Sequence, residues 1–169
     1  MSQMEIKKPV TIDDMYHLPK DGQKYELVDG DVLVSPAGVL HGEIALKIAH
    51  IIATFLDDHP IGKLYGENVG LIFPTGNLRS PDAFFVRTEK LPGGAVEVLS
   101  PADSTRQVLN KIGEFLECGV PLVWVADPGT RTVTAYQSLS NVQRFTAKDT
   151  ISAEPVLPGF TCLVSGFFN

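Results

Sequence analysis

The segment PLVWVADP, residues 121–128, is the feature that most constrains the fold. Its apolar residues run on without alternating with polar ones, which predicts a strand covered on both faces. Such a strand needs a layer of structure on either side, and helices are the usual layers. The sequence therefore predicts an α/β (α+β) fold in which a central mixed β-sheet is flanked by helices.

Two amphipathic helices can supply these layers. The first runs from His41 to about Leu56 and ends before Pro60 and Gly62, with a stripe formed by Ile44, Ile48, Ile51, Ile52 and Phe55. The second is capped by Ser104, runs to about Cys118 and stops at Gly119, with a stripe formed by Val108, Leu109, Ile112, Phe115 and Leu116. A shorter helix is predicted over residues 11–18, behind a capping Thr11.

A β-hairpin is predicted in KYELVDGDVLVSP, because Asp29-Gly30 is a favoured two-residue turn. Pairing across this turn sets Leu27 opposite Val32 and Glu26 opposite Leu33. Glu26 then shares a face with apolar residues and is at least partly buried.

Three further strands are predicted between the two long helices, at about 63–73, 82–87 and 94–99. After residues 121–128 come the strand TRTVTAYQS and two or three short strands in the tail. At 169 residues, the chain is predicted to form a single domain over 1–169, with its core at about 10–137 and a C-terminal β extension at about 138–169.

The net charge of −6 and the pI near 5.1 argue against a protein whose main task is to hold nucleic acid electrostatically. The argument against nucleic-acid binding weakens if carboxylates bind Mg²⁺, because the ion reverses the charge that an approaching phosphate meets. The N-terminus has no signal-peptide core, and the apolar stretches are shorter than the ~20 residues of a membrane helix. We therefore expect a cytoplasmic protein without a membrane partner, in which Cys118 and Cys162 remain thiols.

Two acids are candidates for chemistry. Glu97 lies in the apolar strand AVEVL, where an unpaired carboxylate would cost several kcal/mol, so it should be protonated, paired or bound to a cation. Asp82 begins the preceding strand, and the two carboxylates can converge at one end of the sheet if the strands pair. The alternatives are a structural ion pair for Glu97 and a simple turn role for Asp82.

Lys111 is the third candidate. Its helical position places it at the edge of the apolar stripe, so that its stem lies on the sheet and its ammonium reaches the rim. The same position also suits an ordinary surface lysine.

The strings YELVDG, SPAGVLHG, SPD before an apolar strand, VEVLSP, the helix with Lys111 and GVPLVWVADP resemble the Uma-two family, a group of predicted restriction endonucleases in the PD-(D/E)XK nuclease superfamily. The resemblance covers about residues 10–137. It implies a restriction-endonuclease-like fold, Mg²⁺ or Mn²⁺ as cofactor and nucleic acid, most simply DNA, as substrate.

The resemblance also implies site residues. Asp82 and Glu97 would be metal ligands, Glu26 an additional acid at the metal, and Lys111 the catalytic lysine. The chain departs from the parent motif in having Leu99 where E-x-K would place lysine. In some branches of the superfamily that lysine has moved to the next helix, where Lys111 lies.

The remaining histidines and cations are less specific. His41, in the family's H-G string, could assist at the site, although capping or packing is the commoner role of such a residue. His17, His50 and His59 have no ligand spacing, so zinc is not expected. Arg79, Arg87, Lys90 and Arg106 could contact a nucleic-acid backbone or simply belong to solvated loops.

Two other functions remain open from the sequence. The first is a catalytically weak or inactive nuclease fold that acts as a binding module within a dimer. The second is a small-molecule hydrolase with paired acids, for which the chain has no nucleophile signature. The apolar tail containing Leu163, Val164, Phe167 and Phe168 either closes the core or forms a homodimer patch.

Overall fold

The computed structural model describes residues 8–35, 38–67, 69–88, 93–101 and 103–169. The chain divides into two compact units. We call Met1–Pro36 with Gly70–Ser80 the hairpin unit, and Ala37–Val69 with Pro81–Asn169 the sheet unit. Whether the chain folds as one domain stays a prediction.

The elements in chain order are α1 (Ile12–Met15), β1 (Lys24–Val28), β2 (Asp31–Ser35), α2 (Val39–Asp58), β3 (Gly62–Gly66), β4 (Leu71–Ile72), β5 (Leu78–Arg79), β6 (Ala83–Arg87), β7 (Gly94–Val98), α3 (Thr105–Glu117), β8 (Leu122–Asp127), β9 (Thr132–Tyr136), β10 (Val142–Thr146), β11 (Thr150–Ser152), β12 (Thr161–Leu163) and a final 3-10 helix (Val164–Phe167).

The hairpin unit contains α1 and a four-stranded sheet of order β2-β1-β5-β4. Its β1–β2 hairpin has the predicted register, with Glu26 opposite Leu33 and Leu27 opposite Val32. The turn residues Asp29 and Gly30 have φ of 52° and 84°, the left-handed conformation that a two-residue hairpin turn requires. Thr11 caps α1 as predicted, although the helix is only one turn long.

The predicted single strand over residues 63–73 is wrong. The structure has two strands there, and they belong to different sheets: β3 pairs with β6, whereas β4 pairs with β5. β5 has only two residues, too few to carry a periodic pattern, and was not predicted. The alternation of apolar and polar residues within a strand does not specify its partner strand. The sequence therefore predicts one strand across Gly66 and Gly70, where the structure has two.

The sheet unit is built on a six-stranded sheet of order β10-β9-β8-β7-β6-β3. Strands β7 and β8 are parallel and are joined by α3, and all other neighbours are antiparallel. The predicted mixed sheet flanked by helices is thus confirmed, and residues 122–126 are buried as expected for a strand covered on both faces.

The two long helices pack as their stripes predict. Helix α2 buries Ile44, Ile48 and Ile52 against the sheet face that carries Val96 and Trp124. Helix α3 buries Ile112 and Phe115, and its caps are Ser104 and Cys118. Helix α2 is long and apolar enough to cross a membrane by length and composition, contrary to the expectation from the sequence, but a core helix meets the same criterion and α2 contributes to the core.

The C-terminal tail closes the core of the sheet unit. Val164 and Phe167 of the final 3-10 helix are fully buried, and Phe167 lies 5.9 Å from Trp124 between ring centroids. Leu163 is exposed, whereas Phe168 packs on the core in part. Cys118 and Cys162 are free and half-buried, and burial raises the pKa of the Cys162 thiol to about 11. Cys162 is therefore protonated and weakly reactive near neutral pH.

Candidate functional site

Asp82 stands immediately before β6, in a locally irregular piece of the sheet. Its backbone N–H donates to the Val96 carbonyl at 3.0 Å, and Ala83, the next residue, is also paired with Val96. Asp82 and the first residue of β6, Ala83, therefore both oppose Val96, as in a β-bulge. A bulge changes the direction of a side chain relative to the regular alternation, and here it affects a predicted metal ligand.

The Asp82 carboxylate is buried, with 2% of the residue exposed. Its Oδ2 accepts a hydrogen bond from the Val98 N–H at 2.7 Å. Its Oδ1 lies 3.1 Å from Nε2 of His41, which comes from the first turn of α2. The bonds to the Val96 carbonyl and the Val98 N–H hold Asp82 against β7 on both sides of Glu97.

Glu97 is also buried, and it contacts Lys111. The Lys111 Nζ donates to the Glu97 Oε2 at 2.9 Å, and the two side chains are 15% and 11% exposed. Lys111 thus lies where its helical position predicted, with its ammonium at the end of β7. The ammonium offsets the charge of the buried Glu97 carboxylate.

Glu26 lies in the hairpin unit, where it is 3% exposed. Its Oε1 accepts from the Ser80 N–H at 2.8 Å, and its Oε2 lies 3.4 Å from Nη1 of Arg79. The predicted burial of Glu26 is confirmed. Arg79 is only 6% exposed, so the solvated loop position considered for it is wrong: a buried carboxylate needs a cation, and Arg79 provides it.

For His41 the sequence leaves open a role at the site and a role in capping or packing. The N-cap of α2 is Gly38, without a side-chain cap bond, and the His41 ring instead contacts Asp82. The sequence offered the family's H-G string as a signal for this contact, but it contained no spacing that would pair residues 41 and 82. Tertiary structure brings them together.

The other cations that the sequence offers as nucleic-acid contacts lie in different parts of the chain. Arg106 is exposed in the first turn of α3. Arg87 is half-buried and donates to the Pro155 carbonyl at 3.3 Å. Lys90 lies outside the described residues.

The donor atoms of the candidate site decide which ions it could hold. Across the described part of the chain, no group of three or more His, Cys, Asp or Glu side chains forms a ready-made metal cluster. Asp82 and Glu97 nevertheless supply hard oxygen donors, which suit Mg²⁺ or Mn²⁺. Asp82 is hydrogen-bonded to the backbone of the strand that carries Glu97, and a divalent cation stabilises buried carboxylates. The chemistry of these two residues therefore fits such an ion, which they would hold through their carboxylate oxygens.

The whole site-bearing part of the chain matches one family model, Uma2, described as "Putative restriction endonuclease", over residues 12–165. The chain belongs to the Uma2 family. This confirms the resemblance found in the sequence and extends it, because the match continues past residue 137 through the strands β10 to β12.

One solved structure has the same fold. A crystal structure described as a "putative nuclease belonging to DUF820", from Anabaena variabilis, is 19% identical and has a TM-score of 0.80, covering 95% of this chain and 98% of that one. At this identity the likeness concerns the fold alone. A cryo-electron-microscopy structure of a DrdV–DNA complex is also 19% identical, with a TM-score of 0.39, and covers 63% of this chain and 12% of that one. The chain has no match among curated proteins.

Proposed function

We propose that this Uma2 protein is a metal-dependent endonuclease that hydrolyses phosphodiester bonds of DNA. The observation that carries the proposal is the placement of Asp82 and Glu97. Both carboxylates are buried, and Asp82 bonds the backbone of β7 on both sides of Glu97. Membership of a restriction endonuclease family supports a nuclease activity for a site of this composition.

The residues would divide the work as follows. Asp82 and Glu97 would hold a Mg²⁺ or Mn²⁺ ion, which supplies Lewis acidity and lowers the pKa of a bound water. Lys111 would balance negative charge at the reacting phosphate and orient the water, since its ammonium already lies 2.9 Å from Glu97. His41 would hold the Asp82 carboxylate in place through its contact with Oδ1.

The proposed role of Glu26 as an additional acid at the metal rests on the family resemblance. Within the hairpin unit its two oxygens already bind the Ser80 N–H and Arg79. Its contribution to activity is therefore tested separately from those of Asp82 and Glu97.

The test is nicking of supercoiled plasmid DNA in Mg²⁺ or Mn²⁺ by the wild type and by Asp82→Asn and Glu97→Gln. These substitutions keep side-chain size and remove the charge that binds the ion. The expected result is metal-dependent nicking by the wild type and its loss in both variants. Equal cleavage by all three proteins would show that a contaminant or another site is responsible.

A second candidate is an inactive nuclease fold that acts as a binding module within a dimer. It is favoured by one feature: Asp82 and Glu97 are both already engaged, by His41 with the Val98 amide and by Lys111 respectively. Calorimetric titration with Mn²⁺ separates the two candidates. Binding that is lost in Glu97→Gln supports the enzyme, whereas an absence of binding supports the module.

A further inference from the structure

Charge is unevenly distributed between the two ends of the six-stranded sheet. We define the far end as the end where β3 and β8 begin and α2 and α3 terminate. Among the described residues of the sheet unit, five carboxylates lie at this end: Asp57, Asp58, Glu114, Glu117 and Glu154. The far end also carries Lys63 and Arg87. This excess of negative charge disfavours the approach of a polyanion.

We define the carboxylate rim as the opposite end, where β6 begins and where β7 and β8 end. Exposed cations are concentrated there, on the first turn of α3, on the β8–β9 turn, on β10 and on the turn after it: Arg106, Arg131, Arg144 and Lys148. Acids at the rim outside the candidate site include Glu67, Asp103, Asp127 and Asp149, and Glu43 near the N-terminus of α2 is paired with Lys47. Three of these acids accept hydrogen bonds from backbone N–H groups of their own turns: Asp103, Asp127 and Asp149.

The pairing of strands relates these cations to the candidate site. Glu97 is opposite Val125, Val125 is opposite Thr134, and Thr134 is opposite Arg144. Residues paired in this way point to the same face of a sheet. Arg144 is thus three strands away from Glu97, about 14 Å at ~4.8 Å per strand. That separation corresponds to about four nucleotides along a duplex at ~3.4 Å per nucleotide.

The Arg144 guanidinium is held towards the rim. Its Nε donates to the Thr132 Oγ1 at 3.3 Å, and its Nη2 donates to the Thr130 Oγ1 at 3.2 Å. The side chain nevertheless remains exposed. An arginine fixed by its neighbours loses little conformational freedom when it binds a phosphate.

Arg131 occupies an unusual backbone position beside Arg144. Its φ is 54°, in the left-handed region that favours glycine or asparagine. Its side chain is exposed and donates from Nη2 to the Asn169 Oδ1 at 2.8 Å. The Arg131 cation is thus held at the surface of the β8–β9 turn.

We propose that nucleic acid lies along the carboxylate rim and that Arg131 and Arg144 contact its phosphates, a few nucleotides from the bond at Asp82 and Glu97. The proposal rests on the proposed function for the identity of the ligand. It also fits a chain with a net charge of −6, because the far end carries five acids against two cations, whereas four exposed cations lie at the rim.

The experiment measures the salt dependence of binding. Fluorescence anisotropy of a labelled 20-base-pair duplex is recorded at several NaCl concentrations in EDTA, where hydrolysis cannot proceed. The full chain is compared with Arg131→Gln, Arg144→Gln, the double variant and Lys63→Gln, in which an exposed cation is removed from the far end. The slope of log affinity against log salt should fall by about 1 for each arginine and by ~2 for the double variant. Lys63→Gln should leave the slope unchanged.

Arg144→Lys separates charge from structure, since it keeps the cation and loses part of the bonding to Thr130 and Thr132. It should restore the salt slope, and melting curves should show all variants folded. An unchanged slope in the double variant, an equal effect of Lys63→Gln, or a wild type that binds no duplex would overturn the proposal. Plasmid nicking with intact slopes in the arginine variants refutes the rim surface alone. Arginine-dependent binding without nicking refutes the proposed nuclease activity alone.

Discussion

Each of the two units contains a buried carboxylate next to a cation, and the two pairs differ. In the hairpin unit, Glu26 binds both Arg79 and the Ser80 N–H, and the paired side chains are 5% and 7% exposed. In the sheet unit, Glu97 binds Lys111, and the side chains are 11% and 15% exposed. The planar guanidinium remains charged under all ordinary conditions, whereas an ammonium is a mobile point charge on a flexible stem.

The difference indicates two uses of the same kind of ion pair. Burial and extra hydrogen bonds make the Glu26–Arg79 pair suited to holding the hairpin unit together. The Glu97–Lys111 pair is more open to solvent, and Asp82 bonds the backbone of β7 on both sides of Glu97. Under the proposed function, the Lys111 ammonium would move when an ion or a phosphate binds there.

The largest expected effect tests this comparison through activity. Glu97→Gln should reduce plasmid nicking by more than ~100-fold, whereas Glu26→Gln should reduce it by the ~10–100-fold that loss of a supporting partner costs. Both variants keep side-chain size, and initial nicking rates at saturating Mg²⁺ measure the effect. Equal losses would place Glu26 in the same role as Glu97.

The next effect concerns stability. Arg79→Met should lower the free energy of unfolding by about 3–5 kcal/mol, because it leaves the Glu26 carboxylate buried without its cation. Lys111→Met should cost less, since water can reach Glu97 more readily. Urea denaturation followed by circular dichroism measures both values. A larger loss for Lys111→Met would reverse the assignment of the structural pair.

The smallest effect is expected at Asp127, a more exposed carboxylate that serves as a reference for the buried Glu26 and Glu97. The hydrogen bond from the Thr130 side chain is the main cause that lowers the pKa of Asp127, with further contributions from backbone N–H groups and from Arg144, against the opposing effect of burial. A folded-state pKa below the unfolded one adds stability above the ordinary pKa of about 4, and this is lost as pH falls through the folded-state pKa.

Asp127→Asn should therefore destabilise the protein by less than ~1 kcal/mol at pH 7. The difference between wild type and variant should shrink in more acidic solution, and urea titrations at pH 7 and pH 3 provide the check. A difference that grows towards low pH would mean that the pKa is raised rather than lowered.

Much of the fold followed from local patterns. The hairpin register followed from Asp29-Gly30 and alternation, and the ends of α3 followed from Ser104 and Gly119, because turn and cap chemistry act within a few residues. The division of residues 63–73 between two sheets did not follow, since a strand's partner is chosen by distant segments.

The sequence by itself determined the mixed sheet with flanking helices, the family, and the burial of Glu26 and Glu97, because these depend on periodicity, composition and motif order. Only the tertiary structure decided which partner each buried charge has: Arg79 for Glu26, Lys111 for Glu97 and His41 for Asp82. The physical reason is that burial of a charged side chain requires a partner but does not specify which residue that partner is. Pairing depends on which side chains the packed strands and helices bring within hydrogen-bond distance.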